Sequence, residues 1–305
     1  MATETAGYSW LSSQLYFEGD LYGAEADRVL ATLVEPVRQD CLAQRWIRRC
    51  FFLRYGNMGA HIRFRCYGRH RVLEDHVKPR LIEAAQASGL IDRVEWEAYE
   101  PETSRYGGPC GVALAERFFD GSSAVALSLL HKIDAARRAS RLGKALLAML
   151  VLMHTFRHSR TATSELSAAY GSSYLHAMVR DAERRAALVE IYATGYDRQA
   201  EQLAPYIEAA WEALETDADL TPELDLYRHH LAGIQRRFLR LAEHGLLRGE
   251  VAAFDNYDHS VHQIVPSYIH MMNNRLGINT EEETYLSLVI HRTLDHLAVG
   301  AAASA

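Results

Sequence analysis

Apolar and polar residues alternate along four segments in the first third of the chain, which predicts a sheet. The predicted strands are 8–18, RWIRRCFFLRY (45–55), HIRFRCYG (61–68) and 91–101. The second and third are joined by GNMGA (56–60), a loop of hairpin length with two glycines. Apolar residues at helical spacing predict helices at 23–43 and at about 71–88, the latter ending at Gly89.

Beyond the predicted sheet, from about residue 111 to 297, nearly every segment has helical spacing and few prolines. We therefore predict an α+β fold: a mostly antiparallel sheet with helices in 1–110, followed by a helical half in 111–297. Since no flexible linker separates the two parts, we expect them to pack as one body in a single domain covering 1–305. The small-residue segment 298–305 is expected to be a flexible tail.

Composition narrows the classes of function. The chain has 305 residues, 49% of them apolar, which is enough for a sizeable core. A net charge of −6 argues against direct nucleic-acid binding. The longest apolar run, 145–156, is too short for a membrane helix and predicts a buried one. The four cysteines lack CxxC spacing and no signal-peptide pattern opens the chain, so we expect a cytoplasmic protein with reduced thiols.

One predicted strand places His61, Arg63 and Arg65 on the same face, with apolar residues between them. The two arginines are then about 6 to 7 Å apart by strand rise, and like charges repel unless an anion lies opposite. The face is either a solvated surface or an anion pocket, since arginine forks match carboxylates. Arg54 and Tyr55, on the partner strand, are expected to add to such a pocket.

A second segment of interest is YEPETSRYGG (99–108), at the predicted change from strand to helix. Its two glycines permit a tight turn and direct backbone amides towards a ligand. Glu100 and Glu102 are placed to hold arginines, and Arg105 is a candidate third anion contact. The alternative is an ordinary turn with surface charges.

A third segment, PSYIHMMNNRLG (266–277), has the features of a helix that starts at Pro266 and stops at Gly277. Four of its residues recur at helical spacing and share one face: Ser267, His270, Met271 and Asn274. A histidine on such a face can act as a general acid or base. The alternative is a histidine buried in the core.

Other chemistry-bearing patterns are weak. His154 and His158 have the i, i+4 spacing of metal ligands, but neither an HExxH pattern nor a third ligand accompanies them. His259 and His262 are no better supported. The sequence has no P-loop, GxGxxG or GxSxG motif. We therefore expect no metal and no cofactor.

Three groups of residues together suggest a family. They are FFLRY followed by HIRFR, YEPE and RYGG followed by AERFFDGSS (115–123), and SxxHMxxNR at 267–275. In this order they resemble the C-terminal, glutamate-elimination domain of class I lantibiotic dehydratases. The same domain occurs alone in thiopeptide-type bacteriocin biosynthesis proteins. The resemblance covers nearly the whole chain.

The resemblance implies four catalytic residues: Arg63, Arg65, Arg105 and His270. The arginines would clamp a glutamyl carboxylate and an enolate oxygen, and the histidine would move the α-proton. Six nearby residues are expected to contact the substrate: His61, Arg54, Tyr106, Ser267, Asn274 and Arg275. The chain departs from the family in its hairpin loop, where Asn57-Met58 stands in place of a frequent Asp-Pro.

The implied function is that of a standalone lyase acting on a ribosomally synthesised precursor peptide. It would eliminate glutamate from glutamylated Ser or Thr to give dehydroalanine or dehydrobutyrine. Its partners would be the precursor with its leader and a separate tRNA-dependent glutamylating protein. We expect no association with a membrane. One alternative is a thiopeptide pyridine synthase, which joins two dehydroalanines by a formal [4+2] cycloaddition and expels the leader. Another is a non-catalytic subunit that binds the leader.

Overall fold

The computed structural model describes residues 7–134 and 137–303. Its strands are Tyr8–Tyr16 (β1), Ile47–Tyr55 (β2), His61–Arg69 (β3) and Arg93–Trp96 (β4). They form one antiparallel sheet in the order β2–β3–β1–β4, so the predicted mostly antiparallel sheet is confirmed. The strand predicted at 91–101 is shorter, because only Glu97 N–H still reaches β1, at Ser12 O, before the chain leaves the sheet.

Helices between the strands cover one face of the sheet. They are Ala24–Val29 (α1), Glu35–Ala43 (α2), His70–Val72 (α3) and Lys78–Ser88 (α4), with π-helical turns at Leu30–Val34 and Leu73–Val77. Gly89 ends α4 with a left-handed φ of 62°, as its position in the sequence predicts. Ile62 and Phe64 of β3 are buried on this side, while Arg63 and Arg65 lie on the opposite face.

The second half is helical, as predicted. Its helices are Gly108–Leu130 (α5), Arg138–Arg157 (α6), Arg160–Met178 (α7), Ala182–Asp197 (α8), Ala200–Glu215 (α9), Pro222–Glu243 (α10), Tyr257–Leu276 (α11) and Thr280–Ala303 (α12). Since α12 runs to Ala303, the tail expected at 298–305 overlaps a helix, and its last two residues lie outside the described part of the chain. The flexibility of that segment stays a prediction.

Side chains of the helical half form hydrogen bonds with the backbone along the outer edge of strand β2. Three β2 backbone N–H groups donate to them: Cys50 to Asp120 Oδ1 at 2.9 Å, Phe52 to Ser123 Oγ at 3.3 Å and Arg54 to Asn274 Oδ1 at 2.9 Å. The Asn274 amide also donates back to Arg54 O at 2.8 Å. Buried residues of both halves form one hydrophobic cluster, so sheet and helices are packed as one body.

Helix α6 contains the apolar run at 145–156, which is buried as predicted. Within the described residues it is the one helix whose length and composition would allow it to cross a membrane. Two thirds (67%) of its most apolar stretch lies inside the fold, as expected for the core helix of a globular protein.

Candidate functional site

A cavity of about 170 Å³ lies between the face of the sheet that carries Arg63 and Arg65, the segment before α5 and helix α11. Its polar lining comes from all three elements: Arg63 and Arg65 of β3, then Glu100, Glu102 and Arg105, then His270 and Asn274 of α11. The structure therefore brings together the four residues predicted to be catalytic. Hereafter this space is called the arginine cavity.

Arg63 is held loosely at the cavity wall. Its guanidinium lies over the ring of Tyr55, 3.6 Å from the ring centre, and NH2 is 3.9 Å from Glu97 Oε2. Its buried Nε has no hydrogen-bond partner among the described residues. Because a buried donor without a partner is unfavourable, this nitrogen is suited to a ligand oxygen.

Arg65 lies deeper than Arg63, and less of its charge is balanced by neighbouring groups. Its Nε donates to Ser12 Oγ at 3.3 Å, and its guanidinium lies 4.7 Å from the ring centre of Tyr99. No carboxylate in the described ranges lies within 4.0 Å of it. Burial lowers the pKa of Arg65, and the positive charge of Arg63 acts in the same direction. An anion in the arginine cavity would relieve both effects.

Arg105 is positioned by a glycine turn and two polar side chains. Its Nε donates to Ser267 Oγ at 3.0 Å and its NH1 to Glu102 Oε2 at 2.9 Å. Gly107, at φ 86°, precedes the first turn of α5, and a Cβ there would lie 2.6 Å from the Ile264 side chain. Only glycine fits this turn, which is where the sequence predicted the change from strand to helix. The prediction that Glu100 and Glu102 hold arginines is confirmed for Glu102, whereas no arginine of the described chain lies within 4.0 Å of the Glu100 carboxylate.

His270 meets a buried carboxylate on its far side. Its Nδ1 lies 3.1 Å from both oxygens of Glu283, which sits in the first turn of α12 and is fully buried. Tyr170 OH also donates to Glu283, and the Tyr174 ring packs 5.3 Å from the His270 ring. Burial raises the pKa of Glu283, while the hydrogen bond from His270 opposes this. The imidazole keeps 25% of its surface exposed, towards the arginine cavity.

Helix α11, which carries His270, is longer than predicted. It begins at Tyr257, where the Asn256 side chain accepts from His259 N–H at 2.8 Å, and Pro266 lies inside it. The predicted start at Pro266 is wrong, because buried side chains on both sides of the proline hold the helix in register. The predicted stop is confirmed, since Gly277 has a left-handed φ of 72°.

Three arginines hold the C-terminal end of α11. Their donors meet three successive carbonyls: Arg54 Nε to Arg275 O at 3.2 Å, Arg141 NH1 to Leu276 O at 2.6 Å and Arg138 NH2 to Gly277 O at 2.9 Å. The carboxylate of Asp27 lies between Arg54, at 2.6 Å, and Arg141, which is closer still. These bonds satisfy carbonyls that lack partners within the helix, and they fix the helix that presents His270.

The structure does not bring every predicted binding side chain into the arginine cavity. The guanidinium of Arg54 is buried on the other face of the sheet, in the cluster with Asp27. That of Arg275 is buried against Ser123, at 2.9 Å, and burial lowers its pKa to about 9. His61 is buried between aromatic rings, with Nδ1 2.9 Å from Gly59 O.

The other three predicted binding residues are at the site. Tyr106 lines the arginine cavity and packs on Phe119, with ring centres 5.2 Å apart. Ser267 accepts from Arg105, and Asn274 lines the cavity while tying α11 to β2.

Comparison with known proteins identifies the family. Residues 10–294 match the family described as the C-terminal region of lantibiotic biosynthesis dehydratases. The chain belongs to this family. The dehydratase C-terminal family therefore accounts for nearly all of the described fold. Comparison with curated protein sequences gives no match.

Solved structures share the fold of this family member. TsrL is 14% identical with a TM-score of 0.75, covering 95% of each chain. The pyridine synthase TbtD from thiomuracin biosynthesis is 15% identical with a TM-score of 0.74, covering 95% of this chain and 98% of TbtD. The tRNA-dependent lantibiotic dehydratase MibB from Microbispora sp. 107891 is 20% identical with a TM-score of 0.59. There the match covers 98% of this chain and 29% of MibB.

Sequence reasoning missed the groups behind His270, namely Glu283, Tyr170 and Tyr174. Glu283 ends a run of three glutamates that reads as ordinary charge at a helix start. A signal was nevertheless present, because Glu283, Leu286 and Ile290 share one helical face and the latter two are apolar. A carboxylate in register with buried apolar residues indicates a buried partner.

Proposed function

We propose that this protein is a lyase that eliminates glutamate from glutamylated Ser or Thr residues of a ribosomally synthesised precursor peptide. The observation that carries the proposal is the arrangement of Arg63, Arg65 and Arg105 around one cavity with His270. Among the residues that the structure describes, Arg65 has no carboxylate partner and the buried Nε of Arg63 has no acceptor, so the wall is suited to an anionic group. Membership in the dehydratase C-terminal family supports a role in modifying such peptides.

The residues of the cavity suit a β-elimination. His270 takes the α-proton of the esterified residue, a Cα–Cβ double bond forms, and the Cβ–O bond breaks. Glutamate leaves as a carboxylate, a far better leaving group than hydroxide because its acid has a pKa of about 4. The arginines stabilise the charge on the enolate oxygen and on the departing glutamate. They remain protonated throughout, which keeps the clamp in place.

We propose two partners for this reaction. One is a precursor peptide with a leader, and the other is a tRNA-dependent protein that attaches the glutamate. The likeness in fold to MibB, a tRNA-dependent lantibiotic dehydratase, supports the second. We also propose a cytoplasmic location, which the four free thiols support.

Arg63→Ala tests the elimination. A glutamylated precursor peptide is incubated with each purified protein, and loss of glutamate is followed by mass spectrometry. We expect wild type to release glutamate and Arg63→Ala to be slower by about 10²-fold or more, since one preorganised donor is lost. Arg69→Ala, on the same strand but exposed outside the cavity, is the matched control and should retain activity. Normal turnover by Arg63→Ala would refute the arginine clamp.

A second function, pyridine synthesis, is favoured by one observation. The fold is more similar to that of TbtD, which is described as a pyridine synthase, at a TM-score of 0.74, than to that of MibB, at 0.59. A precursor that already contains dehydroalanines separates the two reactions. Formation of an aromatic ring with release of the leader would establish the cyclase, and loss of glutamate from the glutamylated peptide would establish the lyase. Tight leader binding with neither product would indicate a non-catalytic subunit.

A further inference from the structure

His270 is bound at one ring nitrogen by a carboxylate that does not line the arginine cavity. Glu283 contacts Nδ1 with both oxygens at 3.1 Å, while the rest of the imidazole faces the arginine cavity. We propose that Glu283 is a positioning residue that keeps the hydrogen of neutral His270 on Nδ1, so that Nε2 presents its lone pair to the substrate. The inference deepens the proposed elimination and rests on it for the role of the base.

Glu283 is unlike a surface ion-pair residue. Its side chain is fully buried, and no Lys or Arg of the described chain lies within 4.0 Å of it. Its hydrogen-bond partners are the ring of His270 and the hydroxyl of Tyr170. Burying a carboxylate is unfavourable unless hydrogen-bond donors satisfy its oxygens. The ring of His270 and the hydroxyl of Tyr170 supply these hydrogen bonds.

The pair faces few other charges. The titratable groups around it are Tyr170 and Tyr174 from α7, Arg105 from the turn before α5, and Tyr22 from the segment before α1. Glu283 lies in the first turn of α12, where the helix dipole favours negative charge. Burial raises the pKa of Glu283, while His270, Tyr170 and Arg105 favour its ionised form.

This geometry has two chemical consequences. An Nδ1–H that donates to Glu283 leaves Nε2 as the acceptor, because a neutral imidazole carries one donor and one acceptor nitrogen. When Nε2 takes the α-proton, the carboxylate stabilises the imidazolium that forms. The ring of Tyr174, packed 5.3 Å away, limits rotation of the imidazole.

The tautomer is measured directly by ¹⁵N NMR of the resting protein, without any turnover. The His270 ring signals are assigned by their loss in His270→Asn. We expect wild type to show a protonated Nδ1 and an unprotonated Nε2, and Glu283→Ala to show a mixture of tautomers. Tyr170→Phe, which leaves the carboxylate in place, should keep the wild-type tautomer. An unchanged tautomer in Glu283→Ala would overturn the inference.

Kinetics on the glutamylated peptide provide the second readout. Glu283→Gln keeps the shape but removes the charge that favours a protonated ring. We expect the acid limb of the kcat profile to move to lower pH, with kcat reduced at least about 10-fold and KM little changed. Glu281→Gln, an exposed neighbour in the same helical turn, is the matched control and should leave the profile in place.

The two hypotheses fail in different ways. If wild type releases no glutamate but Glu283→Ala still changes the tautomer, the proposed function falls and the positioning role stands. If wild type eliminates glutamate while Glu283→Ala leaves the tautomer unchanged and Glu283→Gln leaves the pH profile unchanged, the positioning role falls. Should Glu283→Ala fail to fold by circular dichroism, Glu283→Leu, which is closer in size and has no acceptor, supplies the tautomer readout, and Glu283→Gln supplies the pH profile.

Discussion

Replacing Asp27 by asparagine tests the arginine cluster at the end of α11. The Asp27 carboxylate lies between two guanidiniums, those of Arg54, which is fully buried, and Arg141, which is nearly so. Burial lowers the pKa of Arg54 to about 10, and Asp27 offsets part of this loss. Without the carboxylate, two buried cations repel each other with no anion between them.

Removing one partner of a buried ion pair typically costs about 3–5 kcal/mol. In Asp27→Asn one oxygen acceptor remains, and both arginines keep bonds to backbone carbonyls. We therefore expect a loss of about 4 kcal/mol in the free energy of unfolding, a large share of the ~5–15 kcal/mol typical of a native protein.

Urea unfolding followed by circular dichroism and tryptophan fluorescence measures this loss. Asp40→Asn is the matched control, because the Asp40–Arg80 pair has the same chemistry but side chains that are 37% and 33% exposed. Such a surface pair is worth less than about 1 kcal/mol. Equal losses in the two variants would refute the claim that burial makes Asp27 important.

Two further predictions concern charge in and around the site. Arg65→Lys should lower kcat/KM for glutamate release by about 10²-fold, and Arg105→Lys by less. No carboxylate of the described chain pairs with Arg65, whereas Glu102 already balances Arg105. Steady-state kinetics check this, and equal losses would contradict it. Burial raises the pKa of Asp120, so the folded protein favours the neutral carboxyl group. The stability that protonation of Asp120 gives to the folded state is lost as the pH rises through the folded pKa. Asp120→Asn, which keeps an acceptor for Cys50 N–H, should thus gain stability relative to wild type in urea unfolding as the pH rises from acidic values, and a difference that does not change with pH would contradict this.

Features that depend on neighbouring residues were predictable from the sequence. Strand alternation is local, so it correctly placed Arg63 and Arg65 on one face and Phe64 on the other. The contact of Glu102 with Arg105 spans three residues, and the helix stop at Gly277 follows from its left-handed conformation.

Features that depend on packing between distant elements were missed. Arg54 and Tyr55 are adjacent in β2 and point to opposite faces, so both could not join the arginine stripe. The strand register places Tyr55 opposite His61 and sends Arg54 to Asp27. The partner of His270 comes from a different helix, and sequence spacing carries no information on how two helices meet.

The closed edge of β2 has a consequence for how the molecule can be divided. An open strand edge invites pairing with other chains, and here Asp120, Ser123 and Asn274 occupy the hydrogen-bonding groups that such pairing would use. These side chains lie on helices that follow the sheet by many residues. A fragment containing only the sheet part would therefore expose an unpaired strand edge that favours aggregation. A fragment containing only the helices would leave the side chains of Asp120, Ser123 and Asn274 without these hydrogen-bond partners. We expect neither fragment to fold as a soluble domain by itself. The sheet and the helices should therefore be kept together in any engineered version of the protein.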